Sequence, residues 1–429
     1  MEPSSTSHEP PAHDPYLALR SRDYRKFALG FAPSSIGLQM LAMAVGWEVY
    51  ERTDSYMALA YAGLARAIPV LLLALPAGHV ADLYNRRTIL VVTQTIFALA
   101  AGAMAAASYF HAPVWVYYLL LLVSGAARCF NGPARSSLLP MIVPGPAFHN
   151  AVTWNTGVFQ AAAISGPLLA GLLIDLSRWT TGEPAAWPVY LVTALGCAAF
   201  AFSAQGIQVS APERPEGGSV FSLSSMFAGM SHVYREKTIL AALTLDMLAV
   251  LLGGATAMLP VYTRDILHAG PVWLGVLRAS QFVGALVMSV WLAHRPPFRS
   301  AGATLLWSVA AFGVCMIVFG VSTNVWLSLA ALLISGAVDA ISVVIRHVLV
   351  QTRTPDQIRG RVSAVNSVFI ESSNQLGEFK SGSVAAAAGH WLGPVGGAVF
   401  SVISGGVGTI LVVLGIAVIW PEIRRLKKL

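Results

Sequence analysis

Charge is what this sequence lacks most. Only 11% of its 429 residues are Asp, Glu, Lys or Arg, and 56% are apolar, whereas soluble globular domains carry about 25% charge. A chain of this kind cannot keep a solvated surface around a buried core, which excludes an ordinary soluble protein. Cysteine is scarce too. Cys129, Cys197 and Cys315 each lie inside an apolar run, with the spacing of neither a disulfide framework nor a metal site. The ten histidines show no metal-ligand spacing. No Gly-x-x-x-x-Gly-Lys loop and no nucleophile elbow occur, so no cofactor and no catalytic residue is expected. The formal net charge is +7, but no basic stripe interleaved with aromatics accompanies it, which argues against nucleic acid.

What is present is a succession of about twelve apolar runs, most near the roughly 20 residues a helix needs to cross a hydrocarbon core of about 30 Å. They fall at 27–50, 56–82, 88–110, 113–139, 147–174, 186–206, 238–263, 271–293, 301–321, 324–350, 361–387 and 396–420. The expected fold class is therefore an all-α membrane protein. Eighteen Lys and Arg residues fall in the terminal segments and alternate loops, against Arg52, Arg178 and Arg264 in the opposite loops. That asymmetry predicts cytoplasmic termini. The expected organisation is a disordered cytoplasmic tail (1–25), a six-helix bundle (26–206), a cytoplasmic linker (207–237), a second six-helix bundle (238–420) and a basic tail (421–429).

The two halves repeat. A shift of 212 lays "GLARA" at Gly63 on "GVLRA" at Gly275, so Arg66 and Arg278 coincide. A shift of 211 brings Arg135 onto Arg346 and Asn155 onto Asn366. Charged residues at equivalent depth in parallel repeats predict two pseudo-symmetric bundles with a substrate site between them near the midplane.

Between the second and third spans stands "GHVADLYNRRTIL". Its Gly78, Asp82, Arg86 and Arg87 resemble the signature of the major facilitator superfamily: a Gly, an Asp four positions on, then two basic residues. "RCFNGPARSSLLP" from Arg128 and "TPDQIRGRVSAVNSVF" from Thr354 extend the likeness over essentially the whole chain. The sequence is most similar to the enterobactin-exporter-like branch of bacterial drug and siderophore exporters. Physically, Gly78 would permit close helix approach, Asp82 would accept bonds from an arginine or a helix start, and the two arginines would hold the loop inside. The cluster would latch the halves together on the cytoplasmic side in one state. Leu83 stands where a basic residue is usual, Asn85 where Gly is usual, and His294 replaces the Asp in the second-half loop. Asn85 would keep the turn because Asn tolerates left-handed backbone.

Six basic residues remain at membrane depth: Arg66, Arg128, Arg135, Arg278, Arg346 and Lys380. Each needs a partner or water. Arg66, Arg135, Arg278 and Arg346 are candidates for interhelical charge pairing. Glu371, Asn374, Gln375 and Glu378 form one polar stripe, while Lys380 falls on the opposite face and is expected to snorkel outward. Glu48 reads as a helix-end residue. The resemblance implies that spans one, four, seven and ten line a central cavity, placing Arg128, Asp246 and Asp339 toward substrate. Asp246, Glu371 and Glu378 are the candidates for proton coupling, since a carboxyl in low dielectric can titrate in the working range. The implied function is proton-coupled export of amphipathic small molecules, a drug or a siderophore, across the bacterial inner membrane by a monomer. A lysophospholipid or metabolite carrier of the same fold is the alternative. A membrane-embedded lipid enzyme would need a His and carboxylate grouping that the scattered histidines do not supply, and a non-transporting scaffold would have no evident need for membrane-buried charge.

Overall fold

The computed structural model describes residues 14–209, 230–296, 298, 300–355, 358–424 and 426–427. Residues 1–13 of the expected tail and 210–229 of the expected linker lie outside that set. Helices α1 (Arg22–Thr53), α2 (Tyr56–Leu83), α3 (Arg86–Tyr109), α4 (Trp115–Ile142), α5 (Phe148–Thr181) and α6 (Trp187–Gln205) make the first half. The second holds α7 (Lys237–Gly253), α8 (Pro271–Ala293), α9 (Ala301–Val321) and α10 (Val325–Arg353), followed by α11 over 359–392 and α12 over Val395–Ile419. Short polar residues start several of them. Ser21, Ser55, Asn85 and Asn324 accept hydrogen bonds from the first-turn N–H groups of α1, α2, α3 and α10, which satisfies donors that a helix start leaves free. Among the described residues, ten helical stretches are both long and apolar enough to cross a membrane. The two that miss the apolar criterion are α4 and α11, which carry Arg128, Arg135, Glu371, Glu378 and Lys380.

The halves share one packing scheme. In the first, α1 packs on α5 and α6, α3 on α4 and α6, and α2 on α4. In the second, α7 packs on the α11–α12 pair, α9 on α10 and on that pair, and α8 on α10. Gly393, at φ 76°, turns α11 directly into α12, a backbone conformation that favours glycine. The chain folds back tightly enough for Gly397 to lie against the Ala385 carbonyl and Gly389. Between the halves, α2 meets α11 and α5 meets α8.

Those two seams close at one end only. At the end away from the chain termini, Gly63 lies on Glu378 and Phe379, Gly382 on Tyr56 and Ala60, Gly171 on Pro271, and Gly275 on Pro167. At the terminal end a Cβ on Gly78 of α2 or Gly157 of α5 would meet nothing within 4 Å among the described residues. The central space therefore opens toward the terminal face and is sealed at the far face. The close approach expected of Gly78 is not found among the described residues in this arrangement.

Residues 14–25 depart from the expected disorder. Leu17–Arg20 forms a short 3-10 helix and Ala18 and Tyr24 are fully buried. Asn150 of α5 accepts from the Ala18 N–H (3.0 Å) and donates to the Pro15 carbonyl (2.7 Å). A segment with its own apolar anchors and satisfied backbone docks even when its composition is polar.

A Cβ at Gly275 would press on the Pro167 backbone, so Gly275→Val is expected to wedge the far-face seam open. Maleimide labelling of a cysteine placed at Thr263, fully buried at that face, should rise severalfold in the variant and stay low without it.

Candidate functional site

Three membrane-embedded charges converge in the second half. Asp339 and Arg346 are seven residues apart on α10 and share a face, and α7 brings Asp246 alongside. Arg346 and Asp246 form a direct ion pair, each only 6% exposed. Asp339 feels the charges of both, yet no ion pair is recorded for it among the described residues. These three, with Val250, Val343, His347, Asn366, Ile370 and Asn374, line a cavity of about 250 Å³. Arg346 Nε and Asn366 Oδ1 are buried without a protein partner, so hydrogen-bonding capacity is left over at the cavity wall. The arginine is bonded to Asp246, which leaves Asp339 as a surplus acidic group beside a polar void.

Arg128 of α4 is exposed, and both it and Glu371 of α11 lie within electrostatic reach of the Cys129 thiol. Arg135, seven residues further along α4, stacks over the Phe31 ring at 4.8 Å. Its contact is thus a cation–π one within the first half and not the ion pair expected from the repeat. Glu378 lies outside this group: Arg66 of α2 reaches it at 2.8 Å, crossing from one half to the other, with Arg278 of α8 in range of both.

At the far face α7 continues past its regular part into a π-helical turn, Tyr262–Ile266. Arg264 there pairs directly with Asp54, lies 3.5 Å from Glu51 and 2.7 Å from Asp265, and sits 4.3 Å over the Tyr50 ring. Tyr50 donates to Asp265 in turn. This latch joins α1 to α7, and sequence reasoning missed it. The signal available was that Arg264 is one of three basic residues in the far loops, facing Glu51 and Asp54. Glu48 is likewise no simple helix-end residue. It is 6% exposed and accepts from Arg52 (2.6 Å), Ser108 (2.7 Å) and Tyr117 (3.0 Å), tying α1, α3 and α4 together. Nor does Lys380 snorkel: its ammonium donates to the Leu252 carbonyl of α7 at 2.6 Å, because α7 breaks there and offers a free acceptor.

At the terminal end the side chain of Asp82 lies outside the described atoms. Asn85 is extended (φ −62°, ψ 117°) and caps α3 by accepting from the Arg87 N–H at 2.9 Å, so it makes no left-handed turn. Arg87 reaches the Ile207 carbonyl at 3.1 Å, tying the loop to the end of α6.

Two six-helix halves, sealed at one end around a central space lined with buried charge, define a membrane transporter of the major facilitator type. The profile of the transmembrane secretion effector family matches residues 14–414, and the chain belongs to that family. It is 21% identical over 407 residues to macrolide efflux protein A of Streptococcus pyogenes, covering 93% of this chain and 95% of that one. It is 25% identical over 380 residues to the multidrug efflux pump Tap of Mycolicibacterium fortuitum, covering 85% and 88%. Its fold resembles a bacterial homolog of the human lysosomal transporter Spinster, solved inward-facing and unoccupied, with a TM-score of 0.71 at 13% identity over 95% and 97% of the chains. The nucleoside transporter NupG is similarly close, with a TM-score of 0.69 at 12% identity over 93% and 99%.

Removing one partner of a buried ion pair leaves an uncompensated charge. Arg346→Gln is therefore expected to lower stability by about 3–5 kcal/mol, and Asp246→Asn in the same chain should recover much of the loss. Thermal unfolding of the two variants in one detergent checks this.

Proposed function

We propose that the protein exports amphipathic small molecules, drugs or siderophores, across the bacterial inner membrane in exchange for protons. It works as a monomer by alternating access, with both termini in the cytoplasm. The observation that carries this reading is the ion pair of Arg346 with Asp246 beside a second carboxylate, Asp339, on the wall of a cavity open to the terminal face. The Lys and Arg asymmetry makes that face the cytoplasmic one, so the arrangement is the substrate-loading state of an exporter. Efflux relatives that align along nearly the whole chain support the direction of transport.

In the cycle, substrate enters between Arg128 of the first half and Asp339 of the second. A proton arriving at the Asp246–Arg346–Asp339 group removes its surplus negative charge, and deprotonation restores it, so occupancy of the group and the position of the halves are linked. Glu371, facing Cys129 and Arg128, is the second candidate for this role. Glu378 is committed to Arg66 at the seam and fits coupling less well. When the cytoplasmic ends close, Asp82, Arg86 and Arg87 come toward the opposite half and act as the latch there, while the Arg264 latch parts at the outer face.

Substrate-dependent proton release from inverted vesicles, with a panel of cationic, zwitterionic and anionic amphiphiles, tests the reading. Asp339→Asn is expected to retain counterflow but lose accumulation driven by a pH gradient at least tenfold. Gradient-driven accumulation at the wild-type level would remove Asp339 from the coupling path, and accumulation indifferent to the gradient in the wild type would remove proton coupling itself.

Arg264→Gln should destabilise the sealed outer face without touching the cavity. Labelling of an outer-face cysteine from outside the cell should increase, and the apparent affinity for substrate added at the cytoplasmic side should fall.

A further inference from the structure

α7 does not pass straight through the membrane. Its regular helix ends at Gly253, Gly254 leaves at φ −63° and ψ 78°, and the chain resumes as a 3-10 turn over Ala255–Met258. At 1.5 Å per residue the break lies about 25 Å from Lys237, inside the hydrocarbon, where carbonyls released by a helix end find no water. Such an end carries about half an elementary negative charge. In transporters built on broken helices, half-helix ends of this sort hold coupling cations.

Two side chains of α11 answer the carbonyls of this end. Lys380 Nζ donates to the Leu252 carbonyl (2.6 Å) and Ser381 Oγ to Gly254 (2.8 Å), while Thr409 Oγ1 of α12, which donates to its own Gly405 carbonyl (3.0 Å), lies 3.3 Å from the Ala249 carbonyl one turn inside α7. Ser381 is itself held by Ser401, whose hydroxyl donates to the Ser381 carbonyl at 2.8 Å. Gly377 and Gly405 flank the Val250 and Leu252 carbonyls, and a Cβ at either would press on them. The surround is therefore open at the backbone and rich in oxygen. The contact recorded for the Lys380 ammonium there is a helix-end carbonyl and not a carboxylate.

We propose that the broken end of α7 is a monovalent-cation site, and that the ammonium of Lys380 is its tethered occupant. The side chain holds by covalent attachment the position a free cation would otherwise take. The break then persists with no dependence on sodium, and the charge at that depth stays constant while the cavity groups exchange theirs. Removing the ammonium uncovers the site for a small free cation of the same charge.

The test uses purified full-length protein and three chloride salts: choline, methylammonium and sodium. Lys380→Ala is expected to melt below the wild type in choline. Methylammonium or sodium should then raise its melting temperature saturably, by about 2 °C or more, with wild type indifferent to the salt. Lys380→Met, which fills the space with an apolar side chain, should melt low and ignore all three. Should Lys380→Ala not fold, Lys380→Ser, whose hydroxyl can still donate to a carbonyl, carries the same comparison. Identical melting of the folded variant in all three salts overturns the proposal, as does an equal response of the wild type. If neither small variant folds while Lys380→Gln folds and ignores the salts, the role is hydrogen bonding alone and the cation site is likewise overturned. This readout does not depend on transport, so it stands apart from the export reading.

Discussion

A bilayer interior offers a charged side chain no water, and the arrangement of this protein follows from that single constraint. For many of the charges at depth, another helix has been brought to them. Arg346 of α10 holds Asp246 of α7, Arg66 of α2 holds Glu378 of α11, Lys380 of α11 holds the end of α7, and Glu48 of α1 gathers Arg52, Ser108 and Tyr117. The bundles carry little charge, and much of what they carry at depth stitches helices together. Against that background Asp339 and Arg128, for which no such partner is recorded among the described residues, stand out as groups left available to the cavity. Scaffold and site are thus distinguished by whether a charge is already answered.

The seam between the halves uses two kinds of contact. At the far face, glycines at 63, 171, 275 and 382 let backbone meet backbone or side chain closely, giving dispersion contact that needs no desolvation of charge. Beyond them the Arg264 cluster adds directional bonds at the edge of the membrane, where its acidic partners Glu51 and Asp54 are reached by water. Packed glycine seams are all-or-none, and a half-open seam forfeits contact without gaining solvent. Two discrete arrangements are favoured over a continuum, as alternating access requires.

Much of the fold was legible in the sequence because it depends on length, apolarity and charge placement. The spans, the repeat and the membrane-depth charges were all visible there. Partners were not. The repeat equates Arg135 with Arg346, but at the places in α1 equivalent to Asp246 the sequence has Ser34 and Ser35, so Arg135 turns to Phe31 while its counterpart finds a carboxylate. Lys380 was misplaced because helical angle alone sets it opposite Glu371, and angle carries no information about a break in a neighbouring helix. The Arg264 latch was hidden because its members are separated by more than 200 positions and meet only when α1 and α7 are side by side.

The turn at Gly393 bears on how the chain enters the membrane at all. α11 carries two glutamates and a lysine and is too polar to partition by itself, whereas α12 is among the most apolar stretches, with a mean hydropathy of 2.5. Only two residues, Gly393 and Pro394, join them, and Ser401 of α12 bonds the Ser381 carbonyl of α11. The two therefore form a helical hairpin in which the apolar surface of α12 offsets the cost of placing the polar α11 in the bilayer. The charged helix of the second half is thus carried in the bilayer by the hydrophobicity of its successor.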